Sequence, residues 1–288
     1  METTELLKKV RKIEIKTRGL SNQIFAGEYH SAFKGKGMTF SEVREYQYGD
    51  PIKGIDWNVT ARFNTPFIKV FEEEREMTVM LLIDVSASKV FGTHTQLKTD
   101  LITEIAAVLS FSAIANNDKI GVIFFSDKIE HYIPPKKGKQ HILRIIRDLI
   151  EFKPENTGTN ISEALRYYSN VIKKKSTGFI ISDFIDDDFD TALKIANNKH
   201  DLIALRIFDK REKEIPDVGL IQVLDPETGQ KKWIDTSSRR VRMDYANWWK
   251  KTSEELKEIF SKNGVDNTSL ETGEDYVRKL MTLFKHRG

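Results

Sequence analysis

The chain of 288 residues is long enough for one large domain or two modest ones, each with a core of its own. It has no cysteine, which excludes disulfide frameworks, zinc ribbons, iron–sulfur clusters and thiol catalysis. Its 46 Lys and Arg against 43 Asp and Glu leave a net charge of +3, too mild to argue for nucleic acid or a membrane surface, and 39% hydrophobic beside 31% charged residues describes a globular chain.

No apolar run approaches the roughly 18–20 residues that a spanning helix needs. Residues 1–16 alternate Leu and Ile with Glu and Lys and lack the apolar core and cleavage site of a secretory signal. No membrane span and a cytoplasmic location are therefore expected. Residues 1–76 interleave glycines and aromatics, Trp57 among them, with charges, a texture of short strands and turns. From Met77 the pattern changes to short β-rich runs alternating with helical periodicity. The run at 79–83 is apolar throughout, as in a strand buried on both faces.

A helix follows at 97–115, its stripe carried by Leu101, Ile105, Val108, Leu109 and Ser112. Next come a strand at 120–125, an antiparallel partner at 129–133 stopped by Pro134 and Pro135, and a helix at 139–152. Asn160 and Glu163 form a capping box for a helix at 161–174. A strand at 179–182, a helix at 188–198 and a strand at 202–208 continue the rhythm to residue 215. Together they predict an α/β fold, a doubly wound three-layer sandwich with a mostly parallel sheet. Residues 216–288 read as a hairpin (220–224 with 231–234), a long helix with Val241, Tyr245, Trp248, Trp249, Leu256 and Phe260 as its packing surface, and a last helix at 272–286.

Ligands of such a sheet lie beyond the carboxyl ends of its strands. There the sequence places Asp84, Ser86 and Ser88 after the first run, Ser182 and Asp183 after the third, and the loop Thr157, Gly158, Thr159, Asn160 before a helix. Two carboxylates and several hydroxyls, all oxygen donors, suit a hard cation such as Mg²⁺. So few charged ligands leave the ion electrophilic enough to take a partner's carboxylate. The plainer reading stays open: Asp84 and Ser88 cap a turn, Asn160 caps a helix, and Asp183 starts an Asx-turn. Asp186, Asp187 and Asp188 read as a solvated charge at the start of their own helix.

Other designs are missing. Gly138 and Lys139 are followed by Gln140, so there is no phosphate-cradling loop, and neither G-x-S-x-G nor H-E-x-x-H occurs. An aspartyl-phosphate mechanism at Asp84 wants a second carboxylate two residues on, where Ser86 stands.

The order Asp84-x-Ser86-x-Ser88, Gly158-Thr159, Ser182-Asp183 resembles the metal-ion-dependent adhesion site of von Willebrand factor A domains over roughly residues 77–210, within a domain read as 77–215. The upstream stretches 35–40 (GKGMTF), 43–46 (VREY), 48–50 (YGD), 55–58 (IDWN), 60–62 (TAR) and 71–75 (FEEER) resemble the signature of domain of unknown function fifty-eight. That is a family of A-like proteins often encoded beside MoxR-type AAA+ ATPases. The resemblance implies a three-layer, Rossmann-like A domain with a small β-rich N-terminal subdomain and C-terminal helices. It also implies Mg²⁺ (or Mn²⁺) ligands Asp84, Ser86, Ser88, Thr159 and Asp183, with Lys89 where the adhesion loop often has an apolar residue. Family members commonly carry N-terminal membrane spans, so this chain looks like a soluble form.

The function implied is a non-enzymatic, Mg²⁺-dependent protein-binding adaptor working with a MoxR-type ATPase, or with a client that offers an acidic residue. A metal-dependent phosphoester hydrolase is the alternative. The upstream segment reads as a salt-bridged subdomain sealing a sheet edge, or as a docking surface.

Overall fold

The computed structural model describes residues 11, 13, 38–73, 77–86, 92–93, 96–156, 158–224 and 231–287, so Ser88 and Lys89 lie outside the described residues. Among the described residues, 38–77 cluster as one unit and 78–287 as another.

In the smaller unit, β1 (Met38–Glu45) pairs antiparallel with β2 (Phe67–Glu73), with a bulge between Phe40 and Glu42. Between them lies the short helix α1 (Trp57–Phe63), so the segment is not strands and turns alone. Asp56 caps α1, accepting from the N–H groups of Asn58 at 3.0 Å and Val59 at 3.3 Å, and Arg44 grips Asp50 through two hydrogen bonds of 2.8 Å. Trp57, which opens α1, is 66% exposed.

In the larger unit the apolar run becomes β3 (Thr78–Asp84), and the small hairpin β4 (Gly92–Thr93) and β5 (Gln96–Leu97) precedes α2 (Lys98–Ala115). Then follow β6 (Lys119–Phe125), β7 (Ile129–Lys136), α3 (Lys139–Glu151), α4 (Ile161–Val171), β8 (Thr177–Ser182), α5 (Asp190–Lys199) and β9 (Asp201–Phe208). The short helix α6 (Lys210–Lys213) leads to the hairpin β10 (Leu220–Leu224) and β11 (Lys231–Asp235), then α7 (Arg239–Lys262), β12 (Asp266–Glu271) and α8 (Tyr276–Arg287).

Six strands form one sheet in the order β12-β9-β8-β3-β6-β7, parallel except for β7. Alternate residues of its strands face opposite layers. Met80, Leu82, Ile123, Phe125 and Ile180 join one core with residues of α4, α5 and α7, whereas Phe179 points the other way and meets Phe284 of α8 edge-on.

The structure differs from expectation in several places, first in the unforeseen strand β12 and in a last helix that starts at Tyr276 and not at 272. Helix α2 has no single stripe: both of its faces are buried from Leu101 to Phe111, as its nearly unbroken apolar composition dictates. Its buried Ser110 and Ser112 hydroxyls donate to the carbonyls four residues back, at 2.6 and 2.7 Å. Strand β7 runs on through Pro134 and Pro135: an edge strand tolerates a proline nitrogen that faces outward, and the register shift between Ile120 and Val122 accommodates the other. On α7, Trp249, Leu256 and Phe260 are buried, but Trp248 is 44% exposed.

His200, at the end of α5, is buried; its Nδ1 lies 3.0 Å from the Ser176 hydroxyl, which itself lies 2.7 Å from the Tyr168 hydroxyl. Burial first, then Lys199 and Lys175, push its pKa down to about 4. The unfolded chain takes up this proton near pH 6.5 and the folded one only near 4. Stability from this group is thus complete above 6.5 and lost as pH falls through that window, on the order of 3 kcal/mol. His200→Gln should flatten that acid limb in denaturant titrations. An unchanged slope between pH 6.5 and 4 would remove His200 as its source.

Candidate functional site

Three adjacent strands, β8, β3 and β6, end at one rim, and Asp84, Ser86, Ser182 and Asp183 meet there. Asp84 ends β3 and pairs in register with Phe125 at the end of β6, and on the other side Ile83 pairs with Ile181 of β8. Ser182 therefore stands beside Asp84, and its hydroxyl donates to Asp84 Oδ2 at 2.6 Å. Asp84 Oδ1 accepts the Ser86 N–H at 2.9 Å, and the Ser86 hydroxyl also bonds this carboxylate. Asp183 Oδ1 accepts the N–H of Ile185 at 3.2 Å, the expected Asx-turn.

The loop bearing Thr159 reaches the same rim from the β6 side. The Asn160 N–H donates to the Ser126 carbonyl at 2.8 Å, and Asn160 Oδ1 caps α4 by accepting the Glu163 N–H at 2.8 Å. Glu130, which sequence reasoning missed, pins this loop: it accepts from the Ser126 hydroxyl at 2.7 Å and from the N–H groups of Glu155 and Asn156 at 3.2 and 3.0 Å. Thr159 is half-buried, whereas Ser86 and Asp183 are buried.

Asp84 is 4% exposed, and burial first, then the neighbouring Asp183 charge, push its carboxyl up to about 6. The two carboxylates thus repel one another in a place that water solvates poorly.

The sequence reading missed the basic half of the site. The Lys98 side chain, 2% exposed at the start of α2, donates to Asp183 Oδ2 at 3.0 Å and to Glu212 Oε1 at 2.8 Å. Burial pulls this ammonium down, but Asp183 and Glu212 outweigh it and hold the pKa above the usual lysine value. Burial raises Glu212, with Lys98 opposing. Glu212 is fixed by a capping box with Asp209 on α6, and the Thr272 hydroxyl bonds Asp209 Oδ2 from beyond β12. Arg206 donates from Nε to the Asp183 carbonyl at 3.2 Å and from Nη1 to the Ser253 hydroxyl at 2.8 Å, its guanidinium lying 4.5 Å from the Trp249 ring centre. A lysine opening a helix and an arginine inside an apolar strand were the available signals.

Asp186 departs from expectation. Instead of serving its own helix, its Oδ2 accepts the Ile161 N–H at 2.7 Å and so caps α4.

Among the described residues no three His, Asp or Glu side chains gather as a metal cage, and no helix is long and apolar enough to cross a membrane. The donors at the rim fit a hard cation in kind: two buried carboxylates, one with its charge disfavoured, beside hydroxyl oxygens.

The fold and this rim define an α/β protein with a central, mostly parallel sheet and paired carboxylates at neighbouring strand ends. Residues 42–255 match the family described as "Protein of unknown function DUF58", and the chain belongs to it. It is 26% identical over 232 residues to the uncharacterized protein Rv1480 of Mycobacterium tuberculosis, covering 80% of this chain and 73% of that protein. An aerotolerance-related membrane protein from Bacteroides fragilis is 14% identical and shares the fold at a TM-score of 0.51, over 73% of this chain and 98% of that one. The SpRpn10 VWA domain, 10% identical over 71% of this chain and 93% of its own, gives 0.38, too low to define a shared fold.

Proposed function

We propose that the chain is a divalent-cation-dependent protein-binding adaptor of the von Willebrand factor A type, acting in the cytoplasm and not as an enzyme. Mg²⁺ or Mn²⁺ would be held by Asp84, Ser86, Ser88, Thr159 and Asp183. The observation that carries the reading is the pair of buried carboxylates, Asp84 and Asp183, on adjacent strand ends, their repulsion relieved on one side only by Lys98. A bound cation supplies an electrophilic point at the rim that a partner's carboxylate can complete.

This chain's residues do the rest. Ser182 and the Ser86 N–H orient Asp84, Lys98 and the Ile185 N–H orient Asp183, and the Glu130-pinned loop presents Thr159. The partner we propose is a MoxR-type AAA+ ATPase, or the client that such an ATPase remodels. The exposed Tyr48, Ile52, Trp57 and Phe63 of the smaller unit offer the alternative contact surface.

Calorimetric titration with Mg²⁺ and Mn²⁺ tests the site. Wild type should bind one ion, weakly, because a coordination position is left to water, and Asp84→Ala should abolish the heat. Equal binding by both proteins would remove the rim from consideration. Capture of the ATPase should likewise be lost in Asp84→Ala and in chelator. Capture that persists in both would move the contact to the smaller unit.

A further inference from the structure

A groove of about 800 Å³ runs along the outer edge of the sheet, floored by residues 266–269 of β12 and walled by the end of α7 and by α8. It lies toward the start of β12, at the end of the sheet opposite to the carboxylate rim, since Asp266 pairs with Ile203 near the start of β9. Among the described residues β12 is the last strand of its sheet.

The direction of its backbone groups follows from two hydrogen bonds. Just past the strand, the Thr272 N–H donates to the Phe208 carbonyl at 3.0 Å, so even-numbered residues point inward to β9. The Ser269 carbonyl instead accepts from Lys279 Nζ at 3.0 Å, a side chain that lines the groove. Because backbone direction alternates along a strand, the N–H and C=O groups of Asn267 and the N–H groups of Ser269 and Glu271 face outward and open, while the Glu271 carbonyl accepts the Glu274 N–H at 3.3 Å. A row of such groups is a template for another strand. Lys279 partly blunts it, in the manner of edge lysines.

Charge selects the occupant. Arg278 and Lys279 line the groove beside His286, against a single carboxylate among the described residues, Asp266, which Arg287 already pairs at 2.7 Å. Lys279 is paired with Glu274, whereas Arg278 has no acidic partner among the described residues. A second copy of this chain would bring the same cations to face these, so self-pairing is disfavoured.

We propose that the outer edge of β12 is a docking site for an extended, acidic peptide segment of a partner protein, which adds a strand to the sheet and sets its carboxylates against Arg278. Four floor residues at ~3.3 Å each give room for about four residues of such a segment.

The test is fluorescence anisotropy with the full chain and a labelled octapeptide of alternating threonine and glutamate. Saturable binding is expected, and none to the alternating threonine and lysine peptide. Ser269→Pro removes an outward N–H and leaves the inward ladder intact, so it should weaken binding at least tenfold with an unchanged melting temperature. Arg278→Glu should do the same. If Ser269→Pro fails to fold, a glutamate peptide N-methylated at alternate amides gives the same reading on wild type, with binding expected to be lost. The proposal is overturned by no saturable binding of the glutamate peptide, by equal binding of the lysine peptide, or by undiminished affinity after Ser269→Pro or N-methylation. It is also overturned by self-association of wild type that Ser269→Pro abolishes, which would assign the edge to a second copy.

Discussion

Lys98→Met should destabilise the protein by about 3–5 kcal/mol, the largest loss expected of any single change at the rim. The substitution keeps an unbranched stem of similar volume, so packing changes little and the effect is chiefly electrostatic. What is lost is the ammonium between Asp183 Oδ2 and Glu212 Oε1, which leaves two carboxylates with little access to water. Neither can turn to solvent cheaply. Asp183 is held by the Ile185 N–H, and Glu212 by its reciprocal bond to the Asp209 N–H at 2.8 Å. Adding Glu212→Gln should recover part of the loss, because one of the two stranded charges is then gone, and the double-mutant cycle should show marked non-additivity. Urea titration of the four proteins measures this. A loss below about 1 kcal/mol in Lys98→Met would mean that the triad is solvated like a surface pair.

That triad also shows where sequence reasoning reached and where it stopped. Strand β3 was legible because Val79 to Ile83 are apolar without a break, and α4 because Asn160 stands before a helical periodicity. Both signals are local, and so is the placing of Asp84 and Asp183 after buried strands. Strand β12 was not legible: Asp266-Asn267-Thr268-Ser269-Leu270-Glu271 contains one buried apolar residue, Leu270, and owes its extended form to pairing with β9. Lys98, Arg206 and Glu212 were missed for a related reason. Lys98 meets Asp183 and Glu212 across separations of 85 and 114 positions, which no spacing rule foresees. The exposure of Trp57 was not legible either, because exposure depends on what the rest of the fold leaves uncovered.

Asp84→Asn should stabilise the cation-free protein at pH 7.5. Burial and the Asp183 charge raise the folded-state pKa of Asp84 to about 6, against 3.8 for the model carboxyl, so folding favours the protonated form. The unfolded chain releases the proton as pH rises past about 4, whereas the folded chain keeps it until about 6. Stability from this group is therefore complete below pH 4 and lost as pH rises through 6, on the order of 2–3 kcal/mol. Asparagine removes that loss. Its amide oxygen still accepts the Ser86 N–H, and its NH₂ can donate to the Ser182 hydroxyl where the carboxylate accepted from it. Melting in chelator should thus show a higher melting temperature for Asp84→Asn than for wild type at pH 7.5, with the gap closing toward pH 4. Saturating Mg²⁺ should raise the melting temperature of wild type, by relieving the same repulsion, and leave Asp84→Asn unmoved. A variant less stable than wild type at pH 7.5 would show that the Asp84 charge is already compensated inside the fold, and the electrostatic case for a cation at this rim would go with it.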